Sequence, residues 1–440
     1  MPPELISFRR GDAGYEAARR ACAFNARLPD RFPDIIVQAR TQAEVAAAVR
    51  LARAEGWKIG VRSGGHSWAV SHLRDGGMLL DVSRLNAVEI DAAGLSARAG
   101  PGCKGHELND ELARHRLLFP VGHCQGVALG GYLLQGGFGW NSRVLGNACE
   151  NVTAIDYVDA EGRVRHASAV ENSDMYWAAR GAGPGFFGVI TRYHLKLTRR
   201  PKVIGAQAAF YPASALESLC RWAHAVGPAV PRSIELMMLM SRDTPLVKGP
   251  GITVVAPVFA DSPRQALRDL AFMKTLPPGA ALKMPFLPTS VAAMTRQVME
   301  HYPTGYNYAV DNMWTGAAVD DLLPGLRRIA ETLPAAPSHM LWMNWAPPTH
   351  RPDMAYSLDD QTYIALYGVW NQDADAPAAS RWAIENMAAM APLSTGVQLA
   401  DENLGARPAK FVADANLARL DALRAEHDPE GRFHPWMGRP

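Results

Sequence analysis

The chain has 440 residues, of which 48% are apolar and 20% are charged, and its formal net charge is +2. This length allows two or three hydrophobic cores, because a single core stops growing near roughly 250–300 residues. The near balance of charges excludes the strongly basic surface by which proteins bind nucleic acid or an anionic membrane. We see no secretory signal, no apolar stretch of about 18 residues and no C-x-x-C pair among the five cysteines. We therefore expect a cytoplasmic globular protein with neither a disulfide framework nor a metal site.

Up to about residue 200, short strands alternate with helices. The hydrophobic pattern predicts strands at 35–37, 57–61, 78–82, 95–99 and 189–197, and helices at 41–55, 104–115 and 174–180. Thr41 and Glu44 have the spacing of a capping box, which marks the start of the first of these helices. We predict that residues 1–200 form one domain.

From about residue 200 the pattern changes. Strands are predicted at 206–211, 234–240, 252–259, 340–345 and 363–370, and helices at 213–226, 262–276, 377–390 and 416–428. Strands with helices on one side favour an antiparallel sheet covered by helices on one face. The prediction is an α+β protein with a second domain at 201–405 and a C-terminal segment, 406–440, that returns to the first domain.

A short turn follows the predicted strand at 57–61. Ser63, Gly64 and Gly65 would expose successive backbone N–H groups, and the two glycines let an anion approach closely, as a pyrophosphate site requires. His66 stands at the tip of this turn, where its imidazole could meet a cofactor. The alternative is a turn histidine that is hydrogen-bonded to backbone.

A glycine-rich segment begins just after Cys124. It places five glycines within ten residues, a density that fits neither a helix interior nor a strand with a packed face: Gly130, Gly131, Gly136, Gly137 and Gly139. Such backbone lies against something flat or charged, or forms a turn beside other backbone. A thiol on this loop is either exposed enough to react or a small buried apolar group.

Gly183 to Gly188 satisfies the G-x-G-x-x-G pattern of dinucleotide-binding proteins. That motif should follow a strand and open a helix, whereas here the predicted helix precedes it and the strand follows. We therefore reject a nicotinamide-type Rossmann site.

Aromatic residues recur on the predicted strands of the second domain. Alternation along the strand at 363–370 puts Tyr363 and Tyr367 on one face. That face could wall a substrate pocket in which a tyrosine, Tyr308 included, serves as donor or base. The alternative is an ordinary aromatic core beneath the covering helices.

Taken together, ordered blocks from about residue 33 to 197 resemble the FAD-linked oxidases of the vanillyl-alcohol oxidase superfamily. Within it, the chain is most similar to the berberine-bridge-enzyme and glucooligosaccharide-oxidase branch. The resemblance implies a PCMH-type FAD-binding domain of two subdomains and a separate substrate domain. It also implies bicovalent FAD, with His66 bonded to the 8α-methyl group of the flavin ring and Cys124 to its carbon 6.

The resemblance assigns further cofactor contacts. The pyrophosphate would be cradled by Arg62, Ser63, Gly64, Gly65, Ser67, Gly130 and Gly131. The backbone of Val189 would meet the adenine, and Val127 would favour access of dioxygen to the flavin. The remaining residues that the matching blocks place at the FAD site are Val121, Gly122, Gly137, Asn151, Gly188 and Asn416.

The chemistry that the resemblance implies is hydride transfer from a carbon bearing a hydroxyl or amine to the flavin, followed by reduction of dioxygen to hydrogen peroxide. The tyrosine that assists catalysis in several relatives is replaced here by Leu417. The candidate bases are therefore Tyr363, Tyr367, Tyr308 and Glu235. Small alcohols, sugars, amines and phenols all stay open as substrates.

Three alternatives use the same fold. The first is a dehydrogenase that passes electrons to another acceptor, and the second is a flavin-bearing protein that binds or sequesters a small compound. The third, a reductase fed by NADPH, is disfavoured by the pair of His66 and Cys124.

Overall fold

The computed structural model describes residues 4–439, which form 18 strands and 12 α-helices. The strands of the first half are β1 (Ile6–Arg9), β2 (Ile35–Gln38), β3 (Ile59–Arg62), β4 (Met78–Asp81), β5 (Val88–Asp91), β6 (Ser96–Ala99), β7 (Leu117–Leu118), β8 (Val152–Val158), β9 (Val164–Ser168), β10 (Val189–Lys196) and β11 (Thr198–Arg199). Those of the second half are β12 (Val203–Pro212), β13 (Leu236–Ser241), β14 (Gly251–Ala260), β15 (Leu282–Pro288), β16 (Asn307–Thr315), β17 (His339–Asn344) and β18 (Thr362–Trp370).

The helices connect and cover these strands. They are α1 (Tyr15–Ala21), α2 (Gln42–Ala54), α3 (Gly105–Arg114), α4 (Leu129–Leu134), α5 (Ser142–Leu145), α6 (Ser173–Ala178), α7 (Leu216–Val226), α8 (Pro263–Asp269), α9 (Val291–Val298), α10 (Val319–Glu331), α11 (Ala376–Met390) and α12 (Asp414–His427). Within residues 4–439, no helix combines the length and the apolar character needed to cross a membrane.

Two larger sheets and a short ribbon organise the first half. A four-stranded sheet has the order β1-β2-β4-β3, with β4 parallel to both of its neighbours. A five-stranded antiparallel sheet has the order β5-β6-β10-β8-β9, and β7 pairs with β11. One hydrophobic core joins these sheets.

The second half is built on a seven-stranded antiparallel sheet of order β15-β12-β14-β13-β17-β18-β16. Helices α7, α10 and α11 pack on one face of it, which confirms the predicted α+β architecture with helices over one face. The aromatic residues Trp314, Tyr363 and Tyr367 form a separate cluster that also contains Trp68 from the first half. For these residues the alternative of an aromatic core beneath the helices is therefore wrong, because alternation along β18 directs Tyr363 and Tyr367 to the face that the helices leave open. Trp342 of β17 does lie in the core beneath the helices.

The predicted elements agree with the structure within a few residues at most ends. Thr41 caps α2 by accepting a hydrogen bond from Glu44 N (3.2 Å), but the Glu44 carboxylate accepts from Arg40 N (2.7 Å) rather than from Thr41. The predicted helix at 262–276 ends as an α-helix at Asp269 and continues as 3₁₀ turns. The elements that were not predicted are β1, β5, β7, β8, β9, β11, β15, β16, α1, α4, α5, α9 and α10.

The C-terminal segment contacts the first sheet. Ile59 N donates to Arg432 O (2.7 Å), and His434 N donates to Ile59 O (3.1 Å), so the chain near Phe433 runs parallel to the edge strand β3. Leu420 of α12 belongs to the same core as the first half. The domain boundaries near residues 200 and 405 stay predictions.

Candidate active site

A cavity of about 790 Å³ lies between the loops of the first half and the aromatic face of the seven-stranded sheet. Most of the cofactor residues assigned from the sequence line it: Arg62, Ser63, Gly64, Gly65, His66, Ser67, Gly122, Cys124, Val127, Gly130, Gly131 and Gly188. Segments that are far apart in the chain thus meet at one cavity.

The turn after β3 has the properties of an anion cradle. Among residues 4–439, no acceptor pairs with the backbone N–H groups of Gly64, Gly65 and His66, which leaves three donors for a ligand. Gly65 has φ +70°, and a Cβ there would lie 2.2 Å from the carbonyl oxygen of Cys22. Only glycine therefore fits at this position.

The paired glycines of α4 face different surroundings. A Cβ on Gly130 would lie 2.5 Å from the Ser63 hydroxyl oxygen, so this glycine allows the helix to pack closely on the turn. A Cβ on Gly131 would meet nothing within 4 Å, although Gly131 lines the cavity and its N–H donates to Ser63 Oγ (3.2 Å). Gly131 therefore leaves space on the cavity side for a ligand.

His66 lies between the backbone of Gln125 and the ring of Phe24. Its Nε2 lies 3.1 Å from the carbonyl oxygen of Gln125, and its ring stacks on Phe24 with 4.2 Å between centroids. Burial lowers the pKa of His66 to about 4. The imidazole is uncharged at neutral pH, so one ring nitrogen keeps a lone pair that can attack an electrophilic carbon.

Cys124 differs from the other cysteines in its exposure. It is partly exposed at the cavity wall, whereas Cys22, Cys103, Cys149 and Cys220 are buried, and all five are free thiols. Burial raises the pKa of the Cys124 thiol, and the nearby Asp401 carboxylate raises it further. The thiol is therefore protonated at neutral pH.

Sequence reasoning missed Asp401, which lines the cavity from the end of a short 3₁₀ helix, Leu399–Asp401. Its carboxylate accepts hydrogen bonds from Trp68 Nε1 (2.6 Å), Tyr367 OH (3.0 Å) and Tyr363 OH. Burial raises the pKa of Asp401, and these hydrogen bonds oppose the rise. No sequence signal points to this residue, because it belongs to no motif and lies at the end of a single 3₁₀ turn.

The four candidate bases lie in different surroundings. Tyr363 and Tyr367 line the cavity on the same face of β18, as predicted. Tyr308 and Glu235 are buried outside the lining. The Tyr308 hydroxyl donates to Pro303 O (2.6 Å), and the Glu235 carboxylate accepts from Asn141 N and lies 3.1 Å from His123 Nε2.

Five predicted cofactor residues lie behind the cavity lining: Val121, Gly137, Asn151, Val189 and Asn416. The amide of Asn151 donates to Leu145 O (2.9 Å), and that of Asn416 donates to Met354 O (3.0 Å). These two side chains hold loops together on the protein side. Next to Val189, Ile190 reaches the lining instead.

The residues present fit FAD. A long cavity joins an unpaired N–H cradle, suited to pyrophosphate, with His66 and Cys124 near an aromatic wall, suited to a flat ring system. Arg62, whose guanidinium is paired with Asp81 at 2.9 Å, fixes the base of the cradle. Val127, which lies between Cys124 and Gly130 in the chain, also lines the cavity.

Comparison with known proteins agrees with this fit. Residues 33–168 match the family described as FAD binding domain. The FAD-linked oxidoreductase nodO of Hypoxylon pulicicidum is 31% identical over 421 residues, which cover 95% of this chain and 94% of that protein.

Two solved structures share the fold over nearly the whole chain. The 6-hydroxy-D-nicotine oxidase from Arthrobacter nicotinovorans has a TM-score of 0.83 at 24% identity and covers 98% of this chain and 96% of its own. BBE-like 1 of Physcomitrella patens has a TM-score of 0.84 at 19% identity, covering 99% and 97%.

The full-length relationship to an FAD-linked oxidoreductase, the FAD-binding family match and the shared fold all point the same way. The chain therefore belongs to the FAD-linked oxidoreductases, with an FAD binding domain at residues 33–168, and it has the fold of these two solved proteins.

Proposed function

We propose that the protein is an oxidase that removes a hydride from a carbon bearing a hydroxyl or amino group of a small organic molecule. The substrate loses two electrons and two protons, and dioxygen is reduced to hydrogen peroxide. Bound FAD would supply this redox chemistry. The observation that carries the proposal is the position of Asp401, which shares one cavity with His66 and Cys124 and accepts hydrogen bonds from two tyrosines.

Asp401 is the proposed acceptor of the heteroatom proton. Burial raises the pKa values of Tyr363 and Tyr367 well above 10, so both phenols are protonated at neutral pH and serve as donors rather than bases. Together with the Trp68 indole they hold the carboxylate in one orientation. An oriented carboxylate in a cavity is suited to general-base work.

We propose that His66 and Cys124 both bond FAD covalently. The neutral imidazole of His66 supports attachment through a ring nitrogen. The partial exposure of Cys124 at the cavity wall supports a second bond. Because burial keeps this thiol protonated, we expect the His66 bond to form first.

The substrate end of the cavity favours an apolar molecule. The strands of the seven-stranded sheet present mainly aliphatic and aromatic side chains to it: Phe210, Met237, Leu239, Val255, Met284 and Leu341. A sugar carries hydroxyl groups over its whole surface, and each one buried without a partner costs about 1–3 kcal/mol. We therefore propose an alcohol or amine on a bulky apolar scaffold as the substrate.

The test is anaerobic mixing of the flavinated protein with a hydroxysteroid, 1-phenylethanol, a cyclic amine, glucose and cellobiose, followed by admission of air. We expect loss of the oxidised flavin absorbance with the apolar alcohols or the amine, and peroxide after air enters. If the sugars reduce the flavin at lower concentrations than the apolar alcohols and the amine do, the proposed apolar substrate class is wrong. Reduction without peroxide supports the dehydrogenase, and binding without reduction supports the binding protein.

A further inference from the structure

Three side chains that could hold a metal ion meet on the outer face of the five-stranded sheet. Asp156 on β8, His166 on β9 and His194 on β10 place one ligand atom each within 4.8 Å of the others. Asp156 Oδ1 lies 2.7 Å from His166 Nδ1 and 3.3 Å from His194 Nε2. The cluster lies outside the cavity lining.

Strand pairing explains why these residues converge. Asp156 stands directly opposite His166, and His194 stands opposite Ala154, two residues along β8 on the same face. Three adjacent strands thus supply one donor each from a hydrogen-bonded backbone. The positions of the donors are therefore fixed by sheet register rather than by a flexible loop.

The distances between the carboxylate oxygen and the two histidine nitrogens suit a small transition-metal ion. Zn²⁺ binds histidine nitrogen and carboxylate oxygen at about 2.0–2.2 Å, so two donors on one tetrahedral ion stand about 3.3–3.5 Å apart. The Asp156–His194 separation of 3.3 Å already has this value, and the Asp156–His166 separation of 2.7 Å must widen slightly. The side chains of Asp156, His166 and His194 are 23%, 39% and 24% exposed, which admits an ion and a water ligand.

The charges around the donors also suit a cation. Neighbouring cations are paired elsewhere, Arg165 with Asp159 at 3.2 Å and Arg192 with Glu89 at 4.0 Å.

We propose that Asp156, His166 and His194 bind a divalent transition ion of the Zn²⁺ class, with water completing the coordination. Two nitrogen donors out of three favour Zn²⁺ or Co²⁺ over Mg²⁺ and Ca²⁺, which prefer oxygen. The proposal is independent of the proposed oxidase function, because these residues do not face the cavity.

The expected consequence is stabilisation of the five-stranded sheet, which contacts the glycine-rich segment of the cavity. On the opposite side of β10, Tyr193 OH donates to Gly130 O (2.9 Å) in the glycine-rich segment. An ion that links β8, β9 and β10 stabilises this sheet in the folded state only. We expect a higher Tm with Zn²⁺ and no change in kcat.

The experiment is calorimetric titration of the metal-depleted flavinated protein with Zn²⁺, with Co²⁺ electron paramagnetic resonance as a second readout. We expect one ion per chain, no binding of Mg²⁺ or Ca²⁺, and at least about tenfold weaker Zn²⁺ binding in His166→Ala and His194→Ala, since each removes one of three donors. His115→Ala, at an exposed histidine on α3's C-terminal end, is the matched control. An unchanged flavin spectrum shows that each variant is folded.

Two outcomes overturn the proposal. One is a wild-type protein that binds no Zn²⁺. The other is Zn²⁺ binding that is equally tight in the His166→Ala/His194→Ala double variant, which places the ion elsewhere. A rise in Tm with Zn²⁺ that disappears in His194→Ala but persists in His115→Ala supports it.

Discussion

The two walls of the cavity use different parts of the chain. The cradle wall is made mainly of backbone, from the turn at Gly64 and Gly65 and from the glycine-rich segment, and it binds through N–H groups and empty space. The opposite wall is made of side chains, with Asp401 joined to Tyr363 and Tyr367. The proposed cofactor binding thus rests on local turns, and the proposed proton transfer rests on residues brought together by the fold.

The largest expected effect concerns the covalent attachment of FAD at the cradle wall. In the double variant His66→Ala/Cys124→Ala we expect complete loss of the added FAD mass in the denatured protein, because both proposed bonds are removed. Each single variant should keep one FAD through the other bond. Intact mass spectrometry, with the visible spectrum of the acid-precipitated pellet, measures this. Wild-type protein at its apo mass in a fully flavinated sample contradicts covalent attachment.

Asp401→Asn tests the side-chain wall. We expect kcat to fall by about 10²–10⁴, the usual contribution of a general base, with flavin content unchanged. Tyr363→Phe should have a smaller effect, because it removes one hydrogen bond to the carboxylate but leaves the base in place. Equal activity of Asp401→Asn and wild type assigns the base to another group.

The pH profile sharpens the same assignment. A base must be ionised, and burial raises the pKa of Asp401 above its ordinary value of 3.8. We therefore expect kcat/KM to fall as the pH falls through this raised pKa and to be constant above it. The residual activity of Asp401→Asn should lack this acid limb.

Val127→Leu tests access of dioxygen along the cradle wall. Leucine adds a methylene group to the cavity lining at this position, so we expect slower reoxidation by dioxygen. The rate of anaerobic reduction by substrate should stay unchanged. Stopped-flow absorbance measures both steps, and slowing of reduction alone contradicts a role in oxygen access.

The neighbouring glycines of α4 form a matched pair. Gly130→Ala should lower the free energy of unfolding by about 1–3 kcal/mol, because its Cβ would collide with Ser63. Gly131→Ala should leave the stability of the FAD-free protein equal or up to about 1 kcal/mol higher, as alanine favours helix. Gly131→Ala should instead lower the flavin content. Thermal unfolding measures the effect on stability, and the ratio of flavin to protein absorbance measures the effect on flavin content.

The smallest effect is expected for Glu235→Gln. Glutamine keeps an oxygen that accepts from Asn141 N, so we expect a loss of about 0.5–1.5 kcal/mol in stability and a kcat close to that of wild type. Chemical denaturation and steady-state assays measure these changes. A large fall in kcat with a lost acid limb makes Glu235, and not Asp401, the proton acceptor.

The sequence predicted the cradle wall well because its signal is local. A positive φ or a close backbone approach requires glycine at a given position, so Gly65 and Gly130 mark the turn in the sequence itself. The α+β class and the antiparallel sheet were predicted for the same reason, since strand and helix periods are short-range patterns. The edge strand β15 is largely exposed and lacks a buried face that alternation could reveal. The helix α10, which contains Pro324, was not predicted although its buried residues have helical spacing: Leu322, Leu323, Leu326 and Ile329.

The sequence by itself therefore determined the fold class, and it supplied the segments proposed to bind FAD and the two candidate attachment residues. Only the tertiary structure decided which side chains face the cavity: it added Asp401, kept Tyr363 and Tyr367, and placed Tyr308 and Glu235 behind the wall. It also brought Asp156, His166 and His194 together from three strands. The physical reason is that a backbone cradle is encoded by consecutive residues, whereas a side-chain cluster depends on long-range packing and strand register, which no local pattern specifies.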